Sequence, residues 1–484
     1  MSNPNPLREK LKSGQFLHMV ELVASKRTPP EKLLEISSQL ATMDSVVAAG
    51  ITSYAGGAAG QDPVETAVGA KARGLTPNVH LTCVYQDRKG IRETLEKLHS
   101  LDIHNVFAIN GDYPQSKGDD PQNKEDGPVF DLDSVSLVSM INEMRGQGMP
   151  FLISVAVSPF KYTEPDCMYQ YIKLEKKFAA GADFAITQLG YDARKFRELK
   201  QYLAERKIQK PLIGNVYVLT KGAAGVMSGG RPPGCWVAPE LLERITEEAG
   251  AEDKGKAARL ERAARMVAIL RGLGYAGAYI GGTHNAEQIK WVIKRGEEIA
   301  PNWEEYAEEI NYAPKNAFYL NQSPLAPAKP LGIVPNMLNL AGKMFPVRNE
   351  TVWRKLLRGM FRVVDKIPFG SSTVETLEKA MKVPMFGCES CGNCVLGNME
   401  YVCPQTCPKQ IRNGPCGGTD NGMCEVIPEQ ECIWVGVYER AKTSGQVEDL
   451  KVYIPPPDRS LKGTSSYVNY FLDRDVRPEK EHSK

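Results

Sequence analysis

Short apolar runs alternate with amphipathic stretches from residue 16 to about residue 298. The apolar runs predict eight strands: Phe16–Val23, Ser45–Ala49, Asn78–Cys83, Asn105–Asn110, Phe151–Val157, Phe184–Gln188, Leu212–Val218 and Ala276–Ile280. The amphipathic stretches predict the intervening helices: Glu31–Leu40, Arg92–His99, Ser134–Arg145, Tyr169–Ala180, Ala193–Arg206 and Ala257–Leu273. Eight such units predict an α/β fold, a parallel (β/α)8 TIM barrel rather than an open doubly wound sheet. No GxGxxG dinucleotide fingerprint follows a strand.

The pattern changes after the barrel, where prolines recur at 314, 324, 327, 330 and 335. Such spacing predicts an extended connector on the surface. We therefore expect a barrel at 1–300, a Pro-rich connector at 301–340, a smaller cysteine-rich, metal-binding α+β domain at 341–470, and a disordered tail at 471–484.

Two further helices are predicted at Glu350–Lys366 and Val374–Met381. In the first, Arg354, Arg358 and Arg362 recur every fourth residue, opposite an apolar face. This basic stripe predicts a solvated helix face, with docking of an acidic redox partner as the alternative.

The charge balance excludes several classes of partner. The 484 residues carry 60 Lys and Arg against 58 Asp and Glu, a net charge of +2, so no global field attracts nucleic acid or an anionic membrane. No run of about 18 apolar residues occurs, and the first residues contain no apolar signal segment. We expect a soluble, cytoplasmic protein with no membrane insertion.

Eight of the eleven cysteines lie within a short segment: Cys388, Cys391, Cys394, Cys403, Cys407, Cys416, Cys424 and Cys432. Without a secretory signal, metal ligation is favoured over disulfides. Eight thiolates suit two four-ligand sites, and no histidine lies between the first and the last cysteine, which argues against mixed Cys/His zinc sites. The C-x2-C-x2-C spacing followed by Cys-Pro favours [4Fe-4S] clusters, with structural zinc as the alternative. Cys83, Cys167 and Cys235 are not predicted ligands.

Polar residues lie within or just after four predicted strands, at the end of the barrel where TIM-barrel active sites lie. Glu21 lies in an apolar run, where burial favours a raised pKa and a role as general acid. Asp112 follows Asn110 and Gly111 after the fourth strand, and His80 and Gln188 lie in the third and sixth strand runs. Each alone also fits a hydrogen-bonded structural role; together they favour an active site.

The sequences around these residues resemble the catalytic barrel of methylenetetrahydrofolate reductase, a flavin enzyme family. The resemblance covers about residues 14–298 and is most specific in INGD (109–112) and AGADFAITQ (180–188). It implies that Glu21 assists opening of the folate imidazolidine ring and that Asp112 lies near both flavin and folate. It implies a folate contact for Gln188. His80, Asn110, Gly111, Asp112 and Lys177 are the implied flavin-binding positions, for FAD or FMN.

The cysteine segment resembles the C-terminal cysteine-rich domain of some bacterial members of this family. The resemblance covers about residues 340–445, with NGPCGG (413–418) as its most specific part. The barrel resemblance implies reduction of 5,10-methylenetetrahydrofolate to 5-methyltetrahydrofolate. The resemblance of the cysteine segment implies an iron-sulfur relay of electrons from a ferredoxin-like partner, which replaces or supplements NAD(P)H. A homo-oligomer or membership of a redox complex is the expected assembly.

Three alternatives remain open from the sequence. The barrel also fits a folate-dependent methyl transfer enzyme that serves a corrinoid protein, and the chain also fits a non-catalytic electron-transfer subunit of a larger complex. The cysteine domain also fits a purely structural metal knot. The glycine-rich stretch Lys221–Gly234 is predicted to be either a mobile lid or a flexible surface loop.

Overall fold

Eight parallel strands close into a barrel, as the alternating pattern predicts. The structure, a computed structural model, describes residues 5–23, 28–53, 62–114, 128, 130–330, 332–344 and 351–478. The strands are β1 (Leu17–Leu22), β2 (Val46–Ile51), β3 (Pro77–Thr82), β4 (Asn105–Ile109), β5 (Leu152–Val157), β6 (Phe184–Thr187), β7 (Leu212–Tyr217) and β8 (Gly277–Gly281). β8 pairs with β1 and so closes the sheet.

Helices surround the strands: α1 (Pro6–Ser13), α2 (Pro30–Ala41), α3 (Pro63–Lys71), α4 (Arg88–Ser100), α5 (Ser134–Gly146), α6 (Glu164–Ala179), α7 (Ala193–Glu205), α8 (Lys221–Ser228), α9 (Pro239–Glu248), α10 (Lys256–Gly272), α11 (Ala286–Ile299) and α12 (Trp303–Glu309). The side chains of Asp87, Asp133, Thr163 and Asp192 accept backbone N–H groups at the first turns of α4 to α7. These caps satisfy donors that have no partner within the helix, and they fix where each helix begins.

Apolar side chains fill the barrel interior, so the barrel is a packed core and not a pore. Leu17 and Met19 of β1, Phe107 of β4, Phe184 of β6 and Tyr279 of β8 belong to one buried cluster inside it. Leu7 of α1 joins the same cluster and is fully buried. An active site is therefore expected at the carboxyl ends of the strands and not inside the barrel.

The glycine-rich stretch Lys221–Gly234, predicted to be a lid or a flexible loop, begins with helix α8. The Thr220 side chain accepts the backbone N–H of Ala223, and Ala224 and Met227 are buried. Capping and burial of these small and apolar residues offset the low helix propensity of the glycines.

The C-terminal part is helical: α13 (Ile333–Met344), α14 (Val352–Lys366), α15 (Gly370–Phe386), α16 (Ile433–Ser444) and α17 (Ser466–Phe471). Within its described residues, extended pairing is limited to isolated bridges that involve Asp420, Met423 and Glu431. The predicted connector is not extended throughout, because α12 and most of α13 fall inside it; Pro335 lies in the first turn of α13, where proline is tolerated.

The basic face of α14 packs inward, contrary to the solvated face that was predicted. Arg354 is 4% exposed and its Nη2 lies 2.8 Å from Asp473, while Arg358 pairs with the same carboxylate at 2.6 Å. Arg362 alone is exposed. The predicted disordered tail therefore begins with packed residues, since Phe471 and Asp473 hold α14; residues 479–484 lie outside the described part of the chain.

None of the described helices is long and apolar enough to cross a membrane.

Candidate functional site

Three inward-facing rows of the barrel change from apolar to polar where the strands end. Side chains alternate along a strand, so Glu21 follows Leu17 and Met19 on the inner face of β1. Gln188 follows Ile186 just after β6, and Asn215 follows Ile213 in β7. These polar groups thus lie above the packed core, at the carboxyl ends of the strands.

Glu21 lies in an enclosed environment that favours its neutral form. A Cβ on Gly281 of β8 would lie 2.6 Å from Glu21 Oε2, so only glycine leaves room for this carboxyl. Burial raises the pKa of Glu21 to about 7, and the neighbouring Thr52 hydroxyl works in the opposite direction. A glutamic acid with this pKa holds and releases a proton near neutral pH.

Asp112 lies in the tight loop after β4. Gly111 has φ +85°, and a Cβ there would approach Thr82 Cβ to 3.0 Å, which explains the glycine. Lys409 of the C-terminal part donates to the Gly111 carbonyl at 2.8 Å. Desolvation raises the pKa of Asp112; the Lys409 ammonium opposes that rise, and the Glu425 carboxylate adds to it.

Cys235 connects the two carboxylic acids. Its thiol is 4% exposed; burial, followed by the charges of Asp112 and Glu21, raises its pKa to about 12. Glu21 near the end of β1 and Asp112 just after β4 thus both lie at the carboxyl end of the barrel, and both charges raise the pKa of this thiol, whereas the Lys161 ammonium lowers it.

The other predicted site residues have protein partners. Asn110 donates from Nδ2 to the carbonyl of Cys416 at 3.2 Å and accepts from the Ser134 N–H at 2.7 Å. His80 lies deeper, with Nε2 3.3 Å from the Tyr279 hydroxyl, and burial lowers its pKa to about 3, so it is neutral. Lys177 donates to the Ala156 carbonyl at 2.7 Å, and burial lowers its pKa well below the usual range.

Gln188 remains close to its strand. Its backbone N–H donates to Val157 at 2.7 Å, and its Oε1 accepts the N–H of Leu189 at 3.0 Å. Glu21, Asp112 and Gln188 therefore lie at the same end of the barrel, whereas His80 and Lys177 support that end from within the fold.

A cavity of about 400 Å³ lies between one side of the barrel top and the C-terminal part, and Glu21, Asp112 and Gln188 are not among the residues that line it. Its barrel side includes Phe160, Lys161, Cys235 and Trp236, and its other side includes Thr419 and Glu425. The cavity suits a planar ring, because aromatic side chains and a buried cation line it.

Unpaired buried polar atoms mark the same end of the barrel. Ser158 Oγ follows β5 and Asn215 Oδ1 lies in β7; both are buried and have no hydrogen-bond partner in the described part of the chain. Since buried polar atoms are normally paired, these two positions fit a bound ligand with complementary polar groups.

The C-terminal part packs directly on the barrel at this end. Lys173 of α6, 1% exposed, donates to the Pro415 carbonyl at 2.8 Å. Asp133, already the cap of α5, accepts the Arg412 N–H at 3.1 Å and Asn413 Nδ2 at 2.9 Å. Each of these groups is buried, so the contact is a fixed interface and not a loose tether.

The eight clustered cysteines divide into two sets. Cys388, Cys391, Cys394 and Cys403 line one enclosed cavity together with Lys382 and Arg412. In the second set, burial and the charges of Cys416, Cys407 and Cys424 raise the pKa of Cys432. Cys394 is exposed, whereas Cys416 contacts Asn110 at the barrel. The first set therefore lies toward solvent and the second toward Asp112.

Among the described residues, no three His, Cys, Asp or Glu side chains are arranged closely enough to hold a single metal ion.

Comparison with known families decides what this barrel is related to. A model described as methylenetetrahydrofolate reductase matches residues 6–285. The chain belongs to the methylenetetrahydrofolate reductase family. A second model, described as methylene-tetrahydrofolate reductase C terminal, matches residues 368–460 and so includes all eight clustered cysteines.

Individual family members are similar over limited stretches. The 5,10-methylenetetrahydrofolate reductase of Pectobacterium carotovorum subsp. carotovorum is 32% identical over 124 residues, which are 25% of this chain and 37% of the relative. Methylenetetrahydrofolate reductase 2 of Schizosaccharomyces pombe is 26% identical over 256 residues, 49% of this chain and 38% of the relative. The matches thus span less than half the length of either relative.

One of the solved structures that match this chain comes from Clostridium thermocellum. It is described as an uncharacterized protein that binds two copies of 5-methyl-5,6,7,8-tetrahydrofolic acid. Its sequence is 13% identical, the TM-score is 0.41, and the alignment covers 61% of this chain and 99% of that chain.

The sequence did not predict which residues of the C-terminal part contact the carboxyl end of the barrel. Lys409 and Glu425 form a close, buried ion pair beside Asp112, and Lys161 donates to the Thr419 carbonyl. No local pattern signals these contacts, because each joins residues that are far apart in the chain. A lysine directly after Cys407-Pro408 looks like any surface residue in the sequence.

Proposed function

We propose that this protein reduces 5,10-methylenetetrahydrofolate to 5-methyltetrahydrofolate with a bound flavin. The proposal rests chiefly on Glu21, a carboxylic acid whose pKa burial raises to about 7, at the carboxyl end of a barrel of this family. Family membership disfavours the methyl transfer alternative. A non-catalytic electron-transfer subunit is also disfavoured, because Glu21, Asp112 and Gln188 are all present at the carboxyl end of the barrel.

Glu21 is the proposed proton donor. Protonation of N10 of the folate opens the imidazolidine ring and leaves a cationic iminium group at N5. Asp112, on the other side of the same region, stabilises that cation when it is ionised. Gln188 provides an amide that binds the pterin ring.

The flavin, FAD or FMN, supplies hydride to the iminium carbon when it is bound and reduced. Asn215 and Ser158 have free polar atoms for its ring edges, and the Gly111 backbone permits close approach. His80, Asn110 and Lys177 are proposed to shape this site from behind, through their contacts with Tyr279, Cys416 and Ala156.

We further propose that the two cysteine sets hold [4Fe-4S] clusters and carry electrons to this site. Structural zinc is the alternative, and because zinc has no redox chemistry it would leave no relay. Four thiolates in each set match the ligand number of such clusters. The exposed edge of the first set faces a redox partner or another electron donor, and the second set contacts the loop of Asp112. This arrangement supports transfer from the surface to the barrel.

Glu21→Gln tests the catalytic proposal. The substitution keeps the shape and removes the proton, so we expect folate reduction to fall by at least about 100-fold while flavin content is unchanged. Glu31→Gln on the exposed start of α2 is the matched control. Near-normal folate turnover in Glu21→Gln would refute the assignment.

Metal analysis and anaerobic absorbance test the relay. We expect iron, and we expect Cys394→Ser and Cys416→Ser each to lose part of it and to slow flavin reduction by the donor. Cys83→Ser, a buried position outside both sets, is the control. Zinc without iron, or unchanged flavin reduction in both variants, would eliminate the relay and leave the barrel chemistry standing.

A further inference from the structure

Exposed apolar side chains are concentrated in one short segment of the molecule. Of the twenty-two large apolar side chains that are exposed in the described part of the chain, fifteen fall between residues 333 and 385. On α14, α15 and the turn between them they are Val352, Trp353, Leu356, Met360, Val363, Ile367, Phe369, Leu377, Met381, Val383 and Met385. We call these eleven side chains the apolar face. Patches of this kind mark interaction sites.

The apolar face is continuous along α14. At 100° per residue, the exposed apolar positions from 352 to 367 fall within an arc of roughly 100°. The side chains at its two ends protrude most, with Val352 82% exposed and Phe369 84% exposed. The face is therefore a ridge and not a groove.

Packing on the opposite side of α14 keeps this ridge pointed outward. Phe361 stacks on Phe471 of α17 with ring centroids 5.1 Å apart. Arg354, on the same side, pairs with Asp473 at 2.8 Å. The exposure of the ridge is thus built into the fold and does not come from a loosely attached helix.

Every exposed charged residue on α14 and α15 is a cation: Lys355, Arg362, Lys366 and Lys379. The acidic residues of the two helices are paired with cations or hydroxyl groups. Asp365 pairs with Arg474 at 2.5 Å, Glu378 pairs with Lys382 at 2.7 Å, and Glu375 accepts from the Ser390 hydroxyl at 2.5 Å. Because the whole chain carries only +2, this positive margin is local and is not a by-product of net charge.

We propose that the apolar face docks the protein peripherally on an anionic lipid surface. An apolar ridge with Trp and Phe, bordered by Lys and Arg, lies in the plane of a membrane interface and attracts acidic head groups. A fluid bilayer accommodates a protruding ridge without a matching groove. A second copy of the chain is disfavoured, because a symmetric contact would bring the cationic margins of both copies together.

Vesicle flotation of the full chain tests this directly. The protein is mixed with phosphatidylcholine vesicles with and without phosphatidylglycerol, and the bound fraction is measured at about 0.1 M and about 1 M salt. We expect binding only to the anionic vesicles and mainly at low salt. Each cation near the surface should strengthen binding to the anionic vesicles about fivefold. Replacing Lys355, Arg362 and Lys366 together by Gln should therefore weaken binding on the order of 100-fold.

Leu356→Glu with Val363→Glu should also abolish binding, because both side chains belong to the ridge. Val68→Glu with Val226→Glu, at exposed apolar positions elsewhere, is the matched control and should bind normally. Thermal unfolding of each variant verifies that it is folded. The proposal is overturned if the wild type does not float with anionic vesicles, or if the ridge variant floats as well as the control. It is also overturned if the ridge variant changes only the oligomeric state or the capture of an acidic protein.

Discussion

Glu21 lies where the packed interior of the barrel ends and its polar rim begins. Two features determine its chemistry: the glycine at 281, which leaves space for the carboxyl, and the protein around it, which raises its pKa to about 7. General acids are most effective when their pKa lies near the working pH. Glu21 of β1 and its neighbour Gly281 of β8 thus define the site of the proposed proton donor.

The pKa of Glu21 predicts how the rate depends on pH. Only the protonated form donates, so we expect single-turnover folate reduction to fall about tenfold per pH unit well above the pKa of about 7. The measurement is stopped-flow flavin oxidation by the folate between about pH 6 and about pH 9. A rate that stays constant across this range would contradict the role of Glu21.

The same shift predicts how stability depends on pH. The pKa is raised in the folded protein from its ordinary value of 4.5 to about 7, so between these values the unfolded chain loses a proton that the folded chain keeps. The free energy of unfolding therefore falls as pH rises through this window. Glu21→Gln has no such proton, so we expect its stability relative to that of the wild type to increase by ~3 kcal/mol from the acidic to the alkaline side of this window. Urea denaturation on both sides of the window measures the difference.

Gly281→Ala tests the space beside Glu21. The new Cβ would lie 2.6 Å from Glu21 Oε2 and 3.3 Å from the Tyr217 ring, so the carboxyl must move. We expect a loss of about 1 to 3 kcal/mol in stability and a fall of about 100-fold in turnover. Gly146→Ala, where the added Cβ meets nothing within 4 Å, is the control and should retain full activity.

At the scale of elements, α14 and α8 show what pattern alone leaves undecided. The amphipathic pattern of α14 predicts a helix correctly, but it does not specify which side finds a partner. Here Phe471 at the end of α17 and Asp473 just after it contact α14, so the side of α14 with Phe361, Arg354 and Arg358 packs inward. For α8, the glycines suggest a loop, and only the buried contacts of its alanine and methionine make a helix.

The contact between α15 and α17 depends on one buried carboxylate. Glu378 accepts from Lys382 at 2.7 Å and from the Ser465 hydroxyl at 2.9 Å. Glu378→Ala leaves the Lys382 ammonium buried without this partner, and we expect a loss of about 3 to 5 kcal/mol in chemical denaturation. The double variant Glu378→Leu with Lys382→Met removes both charges and should be clearly more stable than Glu378→Ala. Equal losses would show that the pair is not the source of the effect.

At the scale of the whole molecule, the cysteine-rich part and the barrel form one packed unit. The buried side chains of Asp133, the cap of α5, and of Lys173 in α6 bind backbone groups of residues 412–415, and Lys409 donates to the loop of Asp112. The proposed electron path therefore needs no domain movement, because its inner cysteine set already contacts the barrel.

Lys173→Met tests this interface. The variant keeps the side-chain length but removes the donor to the Gly414 and Pro415 carbonyls, at 3.3 and 2.8 Å. Leaving these buried acceptors unpaired should cost about 2 kcal/mol and loosen the C-terminal part. Limited proteolysis should then cut the connector faster than in the wild type, while Lys89→Met, on an 84% exposed side chain, should behave as the wild type. Unchanged cleavage would indicate that the interface does not depend on this lysine.

The sequence by itself determined the barrel, the place of Glu21, Asp112 and Gln188 at the strand ends, and the grouping of eight cysteines in one segment. These features follow from local periodicity and spacing, which short stretches of chain carry completely. Only the tertiary structure decided that His80 and Lys177 point into the fold, that Lys409 and Glu425 complete the surroundings of Asp112, and that α14 turns its apolar side outward. Each of these depends on contacts between residues that are distant in the chain, and no local pattern records which partner a buried group will meet.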